Sequence, residues 1–124
     1  MVAVARVIEP SSPPKGHSKE AAIDTQHLSR MTLGEHSLQR EVLALFSRQA
    51  DVLLPRIRRG PAAAVAASAH TLKGSAVGIG AFKVARAAEA VERAKDAAAA
   101  AAIETLAAVL EEAKAEIARL LLPS

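Results

Sequence analysis

One histidine in this sequence stands where it could do chemistry. It lies in the run Ala69-His70-Thr71-Leu72-Lys73-Gly74-Ser75-Ala76-Val77-Gly78-Ile79-Gly80-Ala81. A neutral imidazole carries a free nitrogen lone pair, and an ordinary His pKa of ~6.5 leaves most of the population neutral near pH 7. Such a ring is a nucleophile. Three residues on, Lys73 offers a flexible cation on the same side of a helix. Four residues on, Gly74 removes a side chain from the adjoining turn. On the other side, Ala66 and Ala67 are equally small. A glycine inside a helix costs ~1 kcal/mol relative to alanine. A chain with 30 alanines had a ready substitute. The sequence therefore suggests a steric reason for Gly74: room for another protein's backbone beside the ring. The plainer alternatives are a solvated surface histidine, a solvated lysine and a glycine that serves helix packing.

The helix wheel separates these readings in part. At ~100° per residue, Val65, Ala69, Leu72, Ala76 and Ile79 share one direction, which must be the core face. His70 then projects about 140° from the centre of that face. Gly74 also sits away from the core stripe, which weakens the packing explanation.

The surrounding pattern is helical from residue 23. Asp24 or Thr25 can cap a short helix holding Leu28 and Met31, interrupted by Gly34. A long helix is expected over residues 35–58. Its apolar stripe is Leu38, Val42, Leu45/Phe46, Gln49, Val52/Leu53 and Ile57, and Pro55 is expected to kink it. Gly60-Pro61 ends that helix and starts the next, expected over residues 61–77. Gly78-Ile79-Gly80 reads as a turn. A further helix is expected over residues 81–96, with Val84, Ala88 and Val91 on one face. The last, over residues 99–121, has the stripe Ile103, Leu106, Leu110, Ala113, Ile117 and Leu120. Short connections make neighbouring helices antiparallel. The expected fold is all-α: an up-and-down antiparallel four-helix bundle (residues 23–122) with a short additional N-terminal helix. Residues 1–22, with their Pro/Ser/Gly cluster, read as a flexible tail or arm.

Composition narrows the function classes. The 124 residues suit one domain and leave no room for a separate nucleotide-binding domain. Aromatics are two phenylalanines, and about a quarter of the chain is alanine, which argues against a sheet-rich fold. There is no cysteine, hence no disulfide framework, thiol nucleophile or Cys-ligated metal. A net charge of +3 without stacking aromatics disfavours nucleic-acid binding. No secretory signal and no membrane span is recognisable, so a cytoplasmic, membrane-free protein is expected. No Gly-rich phosphate loop of either common type is present, so the chain should not be a kinase by itself.

The run from His70 to Ala76, followed by Ile79-Gly80-Ala81, resembles the signature of histidine-containing phosphotransfer (HPt) domains. The resemblance extends more weakly over about residues 28–121. It takes in the Glu41-Val42-Leu43-Ala44-Leu45-Phe46 run and the Val91-Glu92 pair. Two departures are the tight Arg59-Gly60-Pro61 junction, where the family often has a longer acidic loop, and Pro55. The resemblance implies a phosphocarrier in two-component signal transduction. His70 would accept a phosphoryl group, through its outward Nε2, from a receiver-domain phospho-aspartate and pass it to another receiver aspartate. Lys73 would balance phosphate charge, and Gly74 would let the receiver close over the ring. Ala66, Ala67, Val77 and Gly78 would complete the phosphate- or partner-binding surface. Partners would be receiver domains of a hybrid sensor histidine kinase, a response regulator, or both. No cofactor or metal is expected on this chain, because no carboxylate cluster surrounds His70. Mg²⁺ is expected on the partner receiver. Thr71 follows the histidine where dimerising histidine-kinase helices typically have Glu, and no Pro comes a turn later, so a monomer is expected. The alternative is a non-catalytic helical docking module that binds a receiver without phosphotransfer.

Weaker signals remain. His17, His27 and His36 show no metal-like spacing with His70 and read as solvated or capping. Arg56, Arg58 and Arg59 suit a helix C-terminus, or an acidic partner face. Lys83 and Arg86 are expected to widen a basic surface around the site.

Overall fold

The computed structural model describes residues 20–123. The arm expected over residues 1–22 thus lies almost wholly outside the described residues. Five helices follow in order: α1 (Thr25–Met31), α2 (His36–Arg59), α3 (Ala62–Ile79), α4 (Phe82–Arg93) and α5 (Ala97–Leu121). No strand occurs among the described residues. Helix α3 packs between α2 and α4, and α5 closes the ring against α4 and α2. This is the up-and-down bundle expected, with α1 added against α3.

The core is built from single stripes. Helix α3 contributes Ala69, Leu72, Ala76 and Ile79, all buried, with Val65 packed beside them. Val84, Ala88 and Val91 come from α4, and Leu106, Leu110, Ala113 and Ile117 from α5. Alanines at Ala69, Ala76, Ala88 and Ala113 are fully enclosed. Their small size lets the axes approach closely, while Leu72, Leu106 and Leu110 fill the space between.

Helix α2 is rotated from the expected stripe. It buries Leu43, Phe46, Ala50, Leu53 and Ile57. Val42 is half-buried, and Leu45 and Val52 are each 52% exposed. The sequence offers two overlapping apolar stripes on this helix, and packing against α3 and α5 selects the one centred on Phe46 and Leu53. Pro55 lies within α2 without ending it. Asp51, whose carbonyl loses its helical donor at Pro55, is exposed, so water can satisfy it.

Two boundaries differ from expectation. Helix α3 continues through Gly78 and Ile79, and only Gly80 turns the chain. Gly80 adopts φ +80, and Ala81 N–H donates to Ala76 O at 2.8 Å, a Schellman-type ending. A Cβ on Gly80 would meet Asp24 O at 2.6 Å, because Asp24 N–H donates to Gly80 O at 2.9 Å. The segment before α1 is thereby pinned to the α3–α4 turn, with Ile23 buried beneath it. Helix α4 stops at Arg93 rather than running to Asp96. Asp96 takes φ +56 with ψ −128, outside the left-handed helical region, and α5 starts immediately after it.

Candidate functional site

Helix α3 is about 27 Å long, and His70 sits near its middle. Its side chain is 69% exposed. Leu72 and Ala69, its neighbours on the core face, are fully buried, so the helix cannot rotate the imidazole inward without lifting that stripe. The ring is held from the next helix. His70 Nδ1 lies 3.0 Å from Glu92 Oε2 on α4. An ionised carboxylate only accepts, so Nδ1 is assigned the proton and Nε2 the lone pair. Nε2 has no hydrogen-bond partner among the described residues.

Glu92 also takes Lys73. Lys73 Nζ stands 3.1 Å from Glu92 Oε1, and the carboxylate is 23% exposed. Oε1 is closed off from solvent and has no hydrogen bond of good geometry, so the Lys73 ammonium is its sole compensation. The Lys73 ammonium holds the Glu92 carboxyl below its ordinary range; burial opposes this, and the His70 contact adds to it. Glu92 is therefore the charged anchor of the site.

The antiparallel α3–α4 hairpin creates this anchor. His70 and Glu92 stand eleven residues on either side of Ala81, so the turn brings them level. That symmetry about Ala81 is a signal the sequence carries for Glu92.

Gly74 is exposed, and a Cβ there would meet nothing within 4 Å. No contact inside the chain requires the glycine. Ala63, Ala66 and Ala67 are exposed as well, so a low surface surrounds the imidazole. Val77 is 43% exposed, one turn beyond Lys73. Gly78 is turned toward α2, where it lines an open groove of about 480 Å³ with Ser75, Met31, Leu38, Val42 and Leu45. A second cleft along the same seam lies between Gln49, Val52 and Arg56 of α2 and Ala67, Ser68 and Thr71 of α3.

These features form a solvent-facing imidazole with an anchored Nδ1, a bare Nε2, a nearby ammonium and cleared surroundings. A protein-family model for the Hpt domain matches residues 41–120. The chain belongs to the Hpt domain family. No curated protein and no solved structure matches it. Membership carries a phosphocarrier role in two-component phosphorelays, and Hpt domains interact with receiver domains and act as carriers rather than kinases.

Other parts of this Hpt chain depart from expectation. Lys83 pairs with Glu112 at 2.8 Å, and Arg86 pairs with Glu20. Their charge is spent on α5 and on the segment before α1, so they do not widen a free basic surface. Arg58 pairs with Glu104 at 2.6 Å, while Arg56 and Arg59 remain exposed at the end of α2. His27 is not simply solvated: its Nε2 lies 2.9 Å from Val77 O, and its ring meets Phe82 edge-on at 5.0 Å. It ties α1 to the end of α3. Its backbone N–H is capped by Asp24 at 3.0 Å. Among the described residues no cluster of three or more His, Asp or Glu could hold a metal ion, and no helix is long and apolar enough to cross a membrane.

Proposed function

We propose that His70 is the phospho-acceptor of this Hpt domain and exchanges a phosphoryl group with receiver-domain aspartates. The observation that carries the reading is the orientation of one ring: Nδ1 faces Glu92, and Nε2 faces outward from a mostly exposed side chain. Nε2 attacks phosphorus as the bond to the aspartyl oxygen breaks, and the electron pair leaves on that carboxylate. Donation to a second receiver is the reverse. The chemistry needs in-line approach and neutralisation of phosphoryl charge. Lys73 supplies a cation one turn from the ring. Gly74, Ala66 and Ala67 let the receiver's site come close. Mg²⁺, with the acidic residues that hold it, belongs to the receiver.

The receiver would dock along the α2–α3 seam, over Gly78 and past Val77. Half-exposed Met31, Leu45 and Val52 give that seam apolar surface, and Arg56 and Arg59 give one end positive charge. The described carrier would act as a monomer and in the cytoplasm. A direct test is label transfer from a panel of phosphorylated receivers of the same cell. Wild type should acquire an acid-labile, base-stable label, and His70→Gln should acquire none. A label that survives in His70→Gln overturns the assignment. Binding without any label across the panel would favour a docking module.

A further inference from the structure

The anchor of His70 is a carboxylate, and it already has a second cation. An amide would accept the Nδ1 proton just as well, so the negative charge of Glu92 asks for its own explanation. Phosphoryl transfer changes the charge on both of its partners. When Nε2 bonds phosphorus, the ring becomes an imidazolium if Nδ1 keeps its proton. The bound phosphoryl group at the same time offers Lys73 a new anion within one helical turn.

Resting on the phosphocarrier reading, we propose that Lys73 changes partner on phosphorylation, from Glu92 to the phosphoryl oxygens, and that the unpaired Glu92 carboxylate then holds the proton on Nδ1. Glu92 is a positioning residue in this account, since it touches the ring and never the phosphorus. Its Oε1 is shielded from water and compensated by Lys73 alone. Withdrawing Lys73 therefore leaves that charge unsatisfied, and its attraction for the imidazolium rises. Coulomb interaction over so short a distance is substantial even with partial solvent screening. The consequence concerns the donor step. The N–P bond breaks most readily when the leaving ring is an imidazolium, because the electron pair returns to Nε2 of a ring that ends neutral with Nδ1–H in place. A ring that has lost the Nδ1 proton would leave as an anion. Glu92 thus extends the pH range over which the carrier hands on its load.

The charged groups facing His70 are few. From α3 there is Lys73, and from α4 there is Glu92, while Glu89 and Arg93 of α4 pair with each other at 2.7 Å. From α2, Arg56 lines the cleft beside Ala67 and Thr71, without a pairing partner among the described residues. Helix α5 presents its Glu112 to Lys83, away from the ring.

The test uses the whole chain and a small phosphoryl donor, phosphoramidate, so that no receiver is needed. His70 is loaded, excess donor is removed, and loss of the phosphohistidine phosphorus resonance is followed from pH 6 to pH 9. Glu92→Gln keeps an acceptor for Nδ1 and removes only the charge. Its rate of loss should match wild type within about twofold at pH 6 and fall roughly five- to tenfold below it at pH 8, the size expected for one nearby opposite charge. Lys73→Gln should displace the phosphohistidine phosphorus resonance at pH 8, because in the loaded state the ammonium lies on the phosphoryl oxygens. An unmoved Lys73→Gln resonance, or a Glu92→Gln profile that coincides with wild type, overturns the proposal. Failure of wild type to load at all would instead overturn the phosphocarrier reading.

Discussion

His70 stands on a boundary between two unlike seams. Taking His70 as zero on the α3 wheel, Lys73 falls ~60° to one side, toward α4. Gly74, Ala67 and Gly78 fall ~40°, ~60° and ~80° to the other, toward α2. The α4 side is filled with charge: Glu92 with His70 and Lys73, and Lys83 with Glu112 on the neighbouring seam. The α2 side has open clefts, small residues and half-exposed Leu45 and Val52. A helix that carries a reactive ring must satisfy two demands. The ring has to be held, and something else has to reach it. In this chain each demand is met on a separate side of the same residue.

The largest expected effect breaks the open side at its nearest point. Gly74→Leu adds a side chain one turn from the ring, into space where an added Cβ meets nothing. Folding should not suffer, and leucine improves helix propensity by up to ~1 kcal/mol over glycine. Receiver-dependent labelling of His70 should fall by at least roughly a hundredfold, a loss of about 3 kcal/mol of productive docking. Circular dichroism and the thermal midpoint should stay level or rise. Undiminished labelling would mean that the glycine clears nothing.

A smaller effect asks which seam the partner uses. Leu45→Asp and Val52→Asp change half-exposed positions on α2, so stability should move little. Each should weaken receiver-dependent labelling roughly tenfold, about the 1.4 kcal/mol that burying one such side chain would return. Loading by phosphoramidate should be unchanged. Lys83→Gln, on the other side, should leave receiver-dependent labelling within about twofold of wild type, as for surface pairs of this kind. A larger loss from Lys83→Gln than from either α2 change would reverse the comparison.

The two seams were not equally legible before the structure. The face of α3 follows from one helix alone, because the stripe from Ala69 to Ile79 has no rival, and so His70 and Gly74 could be placed outward. The fold class followed for the same reason, from single stripes joined by short connections. The rotation of α2 did not follow, since Leu45 and Val52 compete with Leu43 and Ala50 for the interior, and only contact with α3 and α5 decides. Glu92 was named as part of a motif without a task, because its task depends on a residue across a hairpin. The end of α4 did not follow either, because the residue types of Ala94-Lys95 do not break a helix; the chain leaves α4 at Ala94, whose backbone is extended, and Asp96, at φ +56, turns it into α5. Lys83 and Arg86 looked free because their partners lie far off in the chain, at Glu112 and Glu20.

The smallest effect distinguishes the seams by acid. Lys73 holds the Glu92 carboxyl below its ordinary value of 4.5 in the folded chain. A carboxyl with a depressed folded value binds its proton more readily when unfolded, so its contribution favours folding above the ordinary value and is lost as pH falls through the lower, folded one. Urea unfolding of wild type and Glu92→Gln should therefore show wild type slightly more stable at pH 7, with a narrower gap at pH 3, where the unfolded carboxyl is already protonated. Gln49→Ala, in the uncharged α2 cleft, should displace the urea midpoint by the same amount at both pH values. A Glu92→Gln gap that persists undiminished in acid would show that the residue stabilises the hairpin by packing. The charged character assigned to the α4 side would then rest on the reactivity of His70 alone.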